Sequence, residues 1–206
     1  MKTYPRAFLF MVALVAILMT GCISRIKYPS YYTLNLPTAA DPPAKNGALS
    51  SIAVREFRAP GYLRQGPIVY RTSPEQIGFY EYHRWAADPR QSITNAVTER
   101  LRASGSFAVV KIYDGHADVD YILNGRLEKL DEVDYRGGVR VEVELSAQIT
   151  DLHTGKTVWT NSASETAEVD RRNIPAIVAE MSSLADRTIE KLLKPLALGT
   201  ATTAPQ

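Results

Sequence analysis

The chain is poor in the residues that most often carry chemistry. Among its 206 residues there is one cysteine, Cys22, and there are three histidines, His83, His116 and His153. One cysteine excludes an internal disulfide framework and any cysteine-cluster metal site. No pair of histidines has metal-ligand spacing, and His153 lies in a turn sequence, so these read as surface or structural histidines. Neither G-x-x-x-x-G-K-[ST] nor G-x-G-x-x-G occurs, which leaves no phosphate-cradling loop. The serines lack a G-x-S-x-G context or an evident His and Asp pairing, so a hydrolase reading is poor. Charge of one sign is also scarce. The chain holds 24 basic and 22 acidic residues. Lys2 and Arg6 stand in a first segment without acids, so residues 22–206 carry 24 − 2 = 22 basic and 22 acidic groups. A formally neutral chain gives no whole-protein case for binding nucleic acid. What remains is an ordinary globular composition, 45% apolar and 22% charged, in which a wholly disordered or polytopic membrane protein does not fit.

One segment departs from that average. After Lys2 and Arg6, residues Ala7 to Met19 are continuously apolar. As a helix this stretch covers only about 20 Å, short of the roughly 30 Å hydrocarbon core, so it reads as the h-region of an export signal rather than a span. It ends Leu18-Met19-Thr20-Gly21-Cys22. This resembles the bacterial lipobox, in which the cysteine is acylated and becomes the mature N-terminus; Met19 stands where leucine is usual. Cys22 is therefore the expected lipidation site. A buried CH₂ contributes roughly 0.8 kcal/mol, so two or more acyl chains anchor stably without any spanning helix. Ile23 rather than Asp follows the cysteine, a pattern that favours the outer membrane. The organisation expected is a signal peptide over 1–21, a lipidated N-terminus and tether over 22–30, one domain over 31–195 and a flexible tail over 196–206.

The domain reads as α+β, a mostly antiparallel sheet with two helices packed on one face. Tyr31–Leu36 and Ser51–Phe57 have β character, separated by the Pro- and Gly-containing stretch Pro37–Gly47. Pro67–Arg71 and Gln76–Tyr80 flank Thr72-Ser73-Pro74-Glu75 as a hairpin. Asp88-Pro89-Arg90-Gln91 opens a helix with a cap, a proline at its first position and a capping-box residue. Ile93, Ala96, Val97 and Leu101 give that helix one apolar face, and Gly105 ends it. Phe107–Ile112 follows as a strand. Tyr121–Leu130, Val139–Ile149 and a strand from Thr157 form a meander; Val139, Val141, Val143, Leu145, Ala147 and Ile149 share one face, with Arg140, Glu142, Glu144, Ser146 and Gln148 on the other. A second helix spans about Ile174 to Leu193, capped by Asn173 and stopped by Pro195. Its apolar stripe, like that of the first helix, reads as core rather than lipid contact.

Arg55, Arg58, Arg64, Arg71 and Arg84 crowd a stretch with Tyr62, Tyr70, Phe79, Tyr80, Tyr82 and Trp85. Arginine among aromatics marks protein interfaces and equally marks edge packing with cation–π contacts; residues alone leave both open.

Several of these segments, taken in order, resemble one family. Cys22 is followed by Tyr31-Tyr32-Thr33-Leu34, Ile52-Ala53-Val54, Ala59-Pro60-Gly61-Tyr62-Leu63 and Ile68-Val69-Tyr70-Arg71. Then come Phe79-Tyr80-Glu81-Tyr82-His83-Arg84-Trp85-Ala86 and Asp120-Tyr121-Ile122-Leu123-Asn124-Gly125. Together, over about Tyr31 to Leu193, they resemble the ABC-type transport auxiliary lipoproteins, which include the paraquat-inducible protein C lipoproteins. The resemblance implies a non-enzymatic, outer-membrane-anchored lipoprotein with its domain in the periplasm. It implies work beside an MCE-domain protein, a permease and an ATPase that move lipids or other hydrophobic molecules between membranes. It also makes a homo-oligomer plausible, and it brings no cofactor beyond the covalent lipid on Cys22. Tyr70, Arg71, Arg84 and Trp85 match family motifs and are the candidates for a partner interface, with a role in holding the fold left open beside it. Two other functions compete: an outer-membrane assembly lipoprotein, which the Asp120–Gly125 pattern also resembles, and a periplasmic carrier of one lipid.

Overall fold

The computed structural model describes residues 27–37, 50–116, 118–135, 137–170 and 173–197. The export segment, Cys22, the tether before Lys27, residues 38–47 of the first loop and the tail beyond Ala197 lie outside the described residues. Those residues form β1 (Ser30–Tyr32), β2 (Ser51–Val54), β3 (Pro67–Arg71), β4 (Ile77–Trp85), α1 (Pro89–Ser104), β5 (Val109–Ile112), β6 (Tyr121–Val133), β7 (Arg140–Asp151), β8 (Thr157–Glu168) and α2 (Ile174–Ala197). A short 3-10 turn, Gly61–Arg64, precedes β3.

The fold is α+β, and its sheet is mixed. The long ladders β6–β7 and β7–β8 are antiparallel, as is the hairpin β3–β4. The pairings β1–β4, β2–β5, β2–β6 and β3–β6 are parallel and short. Strand β6 is the spine. One of its edges carries β7 along its whole length, while the other carries β2 at Tyr121–Leu123 and β3 at Glu132–Val133. Parallel neighbours need long crossovers, and strand periodicity carries no record of which distant strand lies alongside.

Both helices bury their stripes in one cluster. Ile93, Val97 and Leu101 of α1 meet Ile177, Met181, Leu184 and Ile189 of α2, Ile52 and Val54 of β2, and Val141, Val143 and Leu145 of β7. The opposite face of β2 is sealed more thinly, by Ala53 with Val119 and Ile122. At Asp88 the carboxylate accepts from the Arg90 backbone N–H at 2.9 Å and from its guanidinium at 2.6 Å, so Arg90 rather than Gln91 completes the cap. Gly105 closes α1 at φ 65°, a left-handed position that suits glycine. Asn173 Oδ1 accepts from the Ala176 N–H at 2.9 Å and starts α2.

Several boundaries differ from expectation: β2 ends at Val54 rather than Phe57, β4 runs on past Tyr80 to Trp85, β5 begins at Val109 rather than Phe107, and β6 reaches Val133 rather than Leu130. Strand β1 ends at Tyr32 because Leu34 turns into the core and the Asn35 N–H donates to Ser182 Oγ of α2 at 3.1 Å. Strand β8 runs on to Glu168 as an edge partner of β7. Pro195 does not stop α2, which continues to Ala197; so near a helix end, proline removes few of the bonds it would break in mid-helix.

Candidate functional site

The arginine–aromatic stretch folds around β3 and β4, and its members separate into two roles. Arg71 and Tyr62 reach Asp131, on β6. Arg71 Nε donates to Asp131 Oδ2 at 2.6 Å, its Nη2 donates to Tyr62 Oη at 3.2 Å and its Nη1 donates to the Pro74 carbonyl at 3.2 Å. Asp131 is fully buried and the Arg71 side chain is 16% exposed. Burial pushes the Asp131 carboxyl above its usual range, although Arg71 pulls the other way. Burial, with the Asp131 charge behind it, also raises the Tyr62 phenol. The Arg71 guanidinium loses hydration on burial, but its bond to Asp131 outweighs that and raises it. This is an ion pair that ties the 3-10 turn, β3 and β6 together.

Tyr70 packs in a chain of tilted and edge-on rings that runs along the hairpin to Tyr32 of β1. Tyr70 and Tyr80 centroids lie 4.9 Å apart, Tyr80 and His83 5.8 Å, and His83 and Tyr32 5.7 Å. The Tyr80 hydroxyl donates to buried Glu132 at 2.7 Å, and Tyr32 Oη lies 3.0 Å from His83 Nδ1. Tyr70 lies directly over Gly78, where an added Cβ would sit 2.2 Å from its ring. Trp85 is buried in the main core at 7% exposure. Arg84 is half-buried at the surface, where its Nη2 donates to the Gln65 carbonyl at 3.3 Å. Of the four motif residues, Trp85 and Arg71 are built into the fold, Tyr70 packs in the ring chain, and Arg84 is the most surface-directed. The structure brings Tyr70 and Arg71 to β3, with Arg84 and Trp85 at the far end of β4.

Sequence reasoning missed the acidic pair Asp131 and Glu132. Plain alternation from Leu123 through Leu127 would carry Lys129 and Asp131 onto the helix-covered face. A bulge between Leu127 and Lys129 shifts the register, so Leu130 and Glu132 face the core and Asp131 faces the Arg71 side. The one signal was Leu130, an apolar residue out of phase with the strand before it.

A second polar cluster joins Ser51, Asp120 and His153. Asp120 Oδ2 accepts from the Ser51 N–H at 2.7 Å and from its hydroxyl at 2.8 Å, while Oδ1 lies 3.1 Å from His153 Nε2. The Ser51 N–H bond, then His153, hold the Asp120 carboxyl down at about 2, and the Asp120 bond raises the His153 imidazole. The carboxylate stands between hydroxyl and imidazole, so His153 has no line to the Ser51 proton. The geometry is a brace between β2, β6 and the β7–β8 turn. Among the described residues no group of three or more His, Cys, Asp and Glu side chains is placed to hold a metal ion. No described helix is long and apolar enough to cross a membrane.

Comparison with solved structures shows the same fold. The XCC0632 protein of Xanthomonas campestris, assigned to family DUF330, superposes with a TM-score of 0.70 at 15% identity, over 82% of this chain and 95% of that one. An uncharacterized protein superposes with a TM-score of 0.61 at 16% identity, over 82% and 99%. Comparison with curated proteins finds none that matches. The family model for the ABC-type transport auxiliary lipoprotein component matches residues 32–192, from the end of β1 to Leu192 near the end of α2. A match of that extent, on a domain with this fold, makes the chain a member of the ABC-type transport auxiliary lipoprotein family.

Proposed function

We propose that the chain is a non-catalytic envelope lipoprotein that serves an MCE-type ABC system moving lipids or other hydrophobic molecules between membranes. The observation that carries this reading is the family match over residues 32–192, which begins ten residues after Cys22. In the proposal Cys22 is acylated and holds the domain at the periplasmic face of the outer membrane. Four residues lie between Cys22 and Lys27, which reach at most about 18 Å when extended, so the domain works close to the bilayer. It receives the end of the MCE conduit there, beside the permease and ATPase, as a monomer unit or a homo-oligomer. No cofactor enters. Arg84, at the surface end of β4, is the member of the family motif set best disposed to touch a partner, while Tyr70 packs in the ring chain and Arg71 and Trp85 are built into the fold.

In the polar clusters described above, Asp131 is paired with Arg71, and Asp120 holds Ser51 and His153, so these contacts brace the fold. The test is genetic and biochemical. A strain whose only copy carries Cys22→Ala should lose transport as fully as a deletion strain, and the wild-type N-terminal peptide should carry the mass of its acyl chains. Full transport by an unacylated Cys22→Ala protein would sink the anchoring part. Stable co-purification with an outer-membrane barrel would favour the assembly reading, and stoichiometric lipid in the domain would favour the carrier reading.

A further inference from the structure

The sheet face without helices holds an open cavity of about 450 Å³ between the segment that follows β2, residues 55–58, and strands β6, β7 and β8. Three arginines line it: Arg55, Arg58 and Arg126, with Asn124, Gln148 and Thr160 on its rim. Two of the three are held in place. The Arg55 guanidinium lies 4.5 Å from the Tyr113 ring centroid, and its Nη1 donates to Asn124 Oδ1 at 3.1 Å. Arg126 Nε donates to Glu128 Oε2 at 2.7 Å. Arg58 has no acidic partner among the described residues.

Arg58 stands beside a second cation. It forms an isolated parallel bridge with Arg126, fixed by the Arg58 N–H to the Gly125 carbonyl at 2.9 Å and the Leu127 N–H to the Arg58 carbonyl at 2.8 Å. Two cations, both exposed, thus sit directly opposite each other across this bridge between the segment after β2 and β6, and like charges so placed repel. The one acid lining the cavity, Glu56, is drawn to Arg90 at 3.3 Å, and Glu128 is taken up by Arg126 and the Ser146 hydroxyl. The cavity keeps an excess of positive charge that the fold itself does not neutralise.

We infer that this cavity binds a phosphate group, with Arg58 and Arg126 closing on it from the segment after β2 and from β6, and Arg55 as the pre-positioned third donor. Guanidinium forks match phosphate oxygens, and ordering them beforehand reduces the entropy lost on binding. Three forks offer more donors than the two oxygens of a carboxylate can take, whereas a phosphate presents three or more oxygens. The phosphate belongs to a lipid headgroup or to a soluble phosphate ester. The site is independent of the transport proposal, because it uses neither Cys22 nor the hairpin of Tyr70 and Arg84.

The test uses the purified full-length lipoprotein in a nonionic detergent, titrated calorimetrically with glycerol phosphate, dihexanoyl phosphatidic acid and, as a carboxylate control, succinate. Saturable binding of a phosphate probe is expected, weakened about tenfold or more in Arg58→Gln because a charge-assisted contact is lost. Without phosphate, Arg58→Gln should melt at the same temperature as the wild type or higher, since the like-charge pair is relieved. Tighter binding of the phosphatidic acid would identify a headgroup site, and equal binding a site for the phosphate alone; both support the inference. No saturable phosphate binding, binding unchanged by Arg58→Gln, or succinate bound as tightly as phosphate would overturn it.

Discussion

Replacing Arg71 by alanine should be among the most damaging single changes on the sheet surface. Asp131 has no exposure and Arg71 is 16% exposed, so the pair is largely removed from water. Taking away one partner of a buried ion pair costs about 3–5 kcal/mol, because the remaining charge is stranded. Tyr62 Oη, 3.4 Å from Asp131 Oδ2, is a poor substitute. For a domain of this size each kcal/mol moves the midpoint by roughly 2–4 °C, so Arg71→Ala should melt about 6–20 °C below the wild type. The double variant Arg71→Met/Asp131→Leu should recover much of the loss, as apolar replacement of buried pairs is often neutral. Acid should also help the single variant. The Asp131 pKa is already raised in the folded wild type; without Arg71 it rises further. A raised carboxyl contributes stability that is fully present below its unfolded pKa, near 3.8, and is lost as pH rises through the folded pKa. The deficit of Arg71→Ala should therefore shrink as pH is lowered from 7 toward 5. The assay is thermal and urea unfolding of wild type, Arg71→Ala and the double variant at the two pH values. A cost below about 1 kcal/mol for Arg71→Ala, or a double variant no better than the single, would refute the reasoning.

Three more outcomes follow from named contacts. An alanine Cβ at Gly125 would lie 2.2 Å from the ring of Phe57, which is fully buried; Gly125→Ala should cost about 1–3 kcal/mol or more by overpacking, read by urea denaturation, and a neutral result would mean that Phe57 moves freely. The Asp120–His153 brace should give stability two pH limits: the raised His153 part is present below about 6.5 and fades as pH rises through its folded value, and the Asp120 part is present above about 3.8 and fades as pH falls toward 2. His153→Ala should erase only the upper limit in unfolding curves taken across pH, and an unchanged upper limit would remove His153 from the account. Trp85→Ala should destabilise by about 3–5 kcal/mol, whereas Arg84→Ala should leave the melting temperature nearly unchanged and weaken partner capture. Loss of stability in Arg84→Ala with capture intact would assign Arg84 to the fold instead.

The parts legible in the sequence were those written in local periodicity. The Val139–Ile149 alternation is β7, the Ile174–Leu193 stripe is α2, and Asp88-Pro89 with Gly105 bounds α1. Non-local features were not legible. Parallel pairing of β2 with β5 and β6 brings together segments about 60–70 residues apart, and nothing in a strand names its distant neighbour. The bulge after Leu127 reversed the faces of Asp131 and Glu132, so the buried acids were hidden behind an alternation that had already slipped. The arginine–aromatic cluster was visible as composition, but its division into the Arg71–Asp131 pair, buried Trp85 and surface Arg84 needed the partner side chains from β6. Arg58 and Arg126 are 68 residues apart and meet only in the folded sheet.

The measurement that bears most directly on the central claim is crosslinked capture of the full-length lipoprotein from native membranes, read by mass spectrometry beside Cys22→Ala. The account predicts that an MCE-domain protein is captured by the acylated form, with less captured by the variant. Capture of an outer-membrane assembly machine in its place, or no MCE protein under conditions that preserve such complexes, would contradict it.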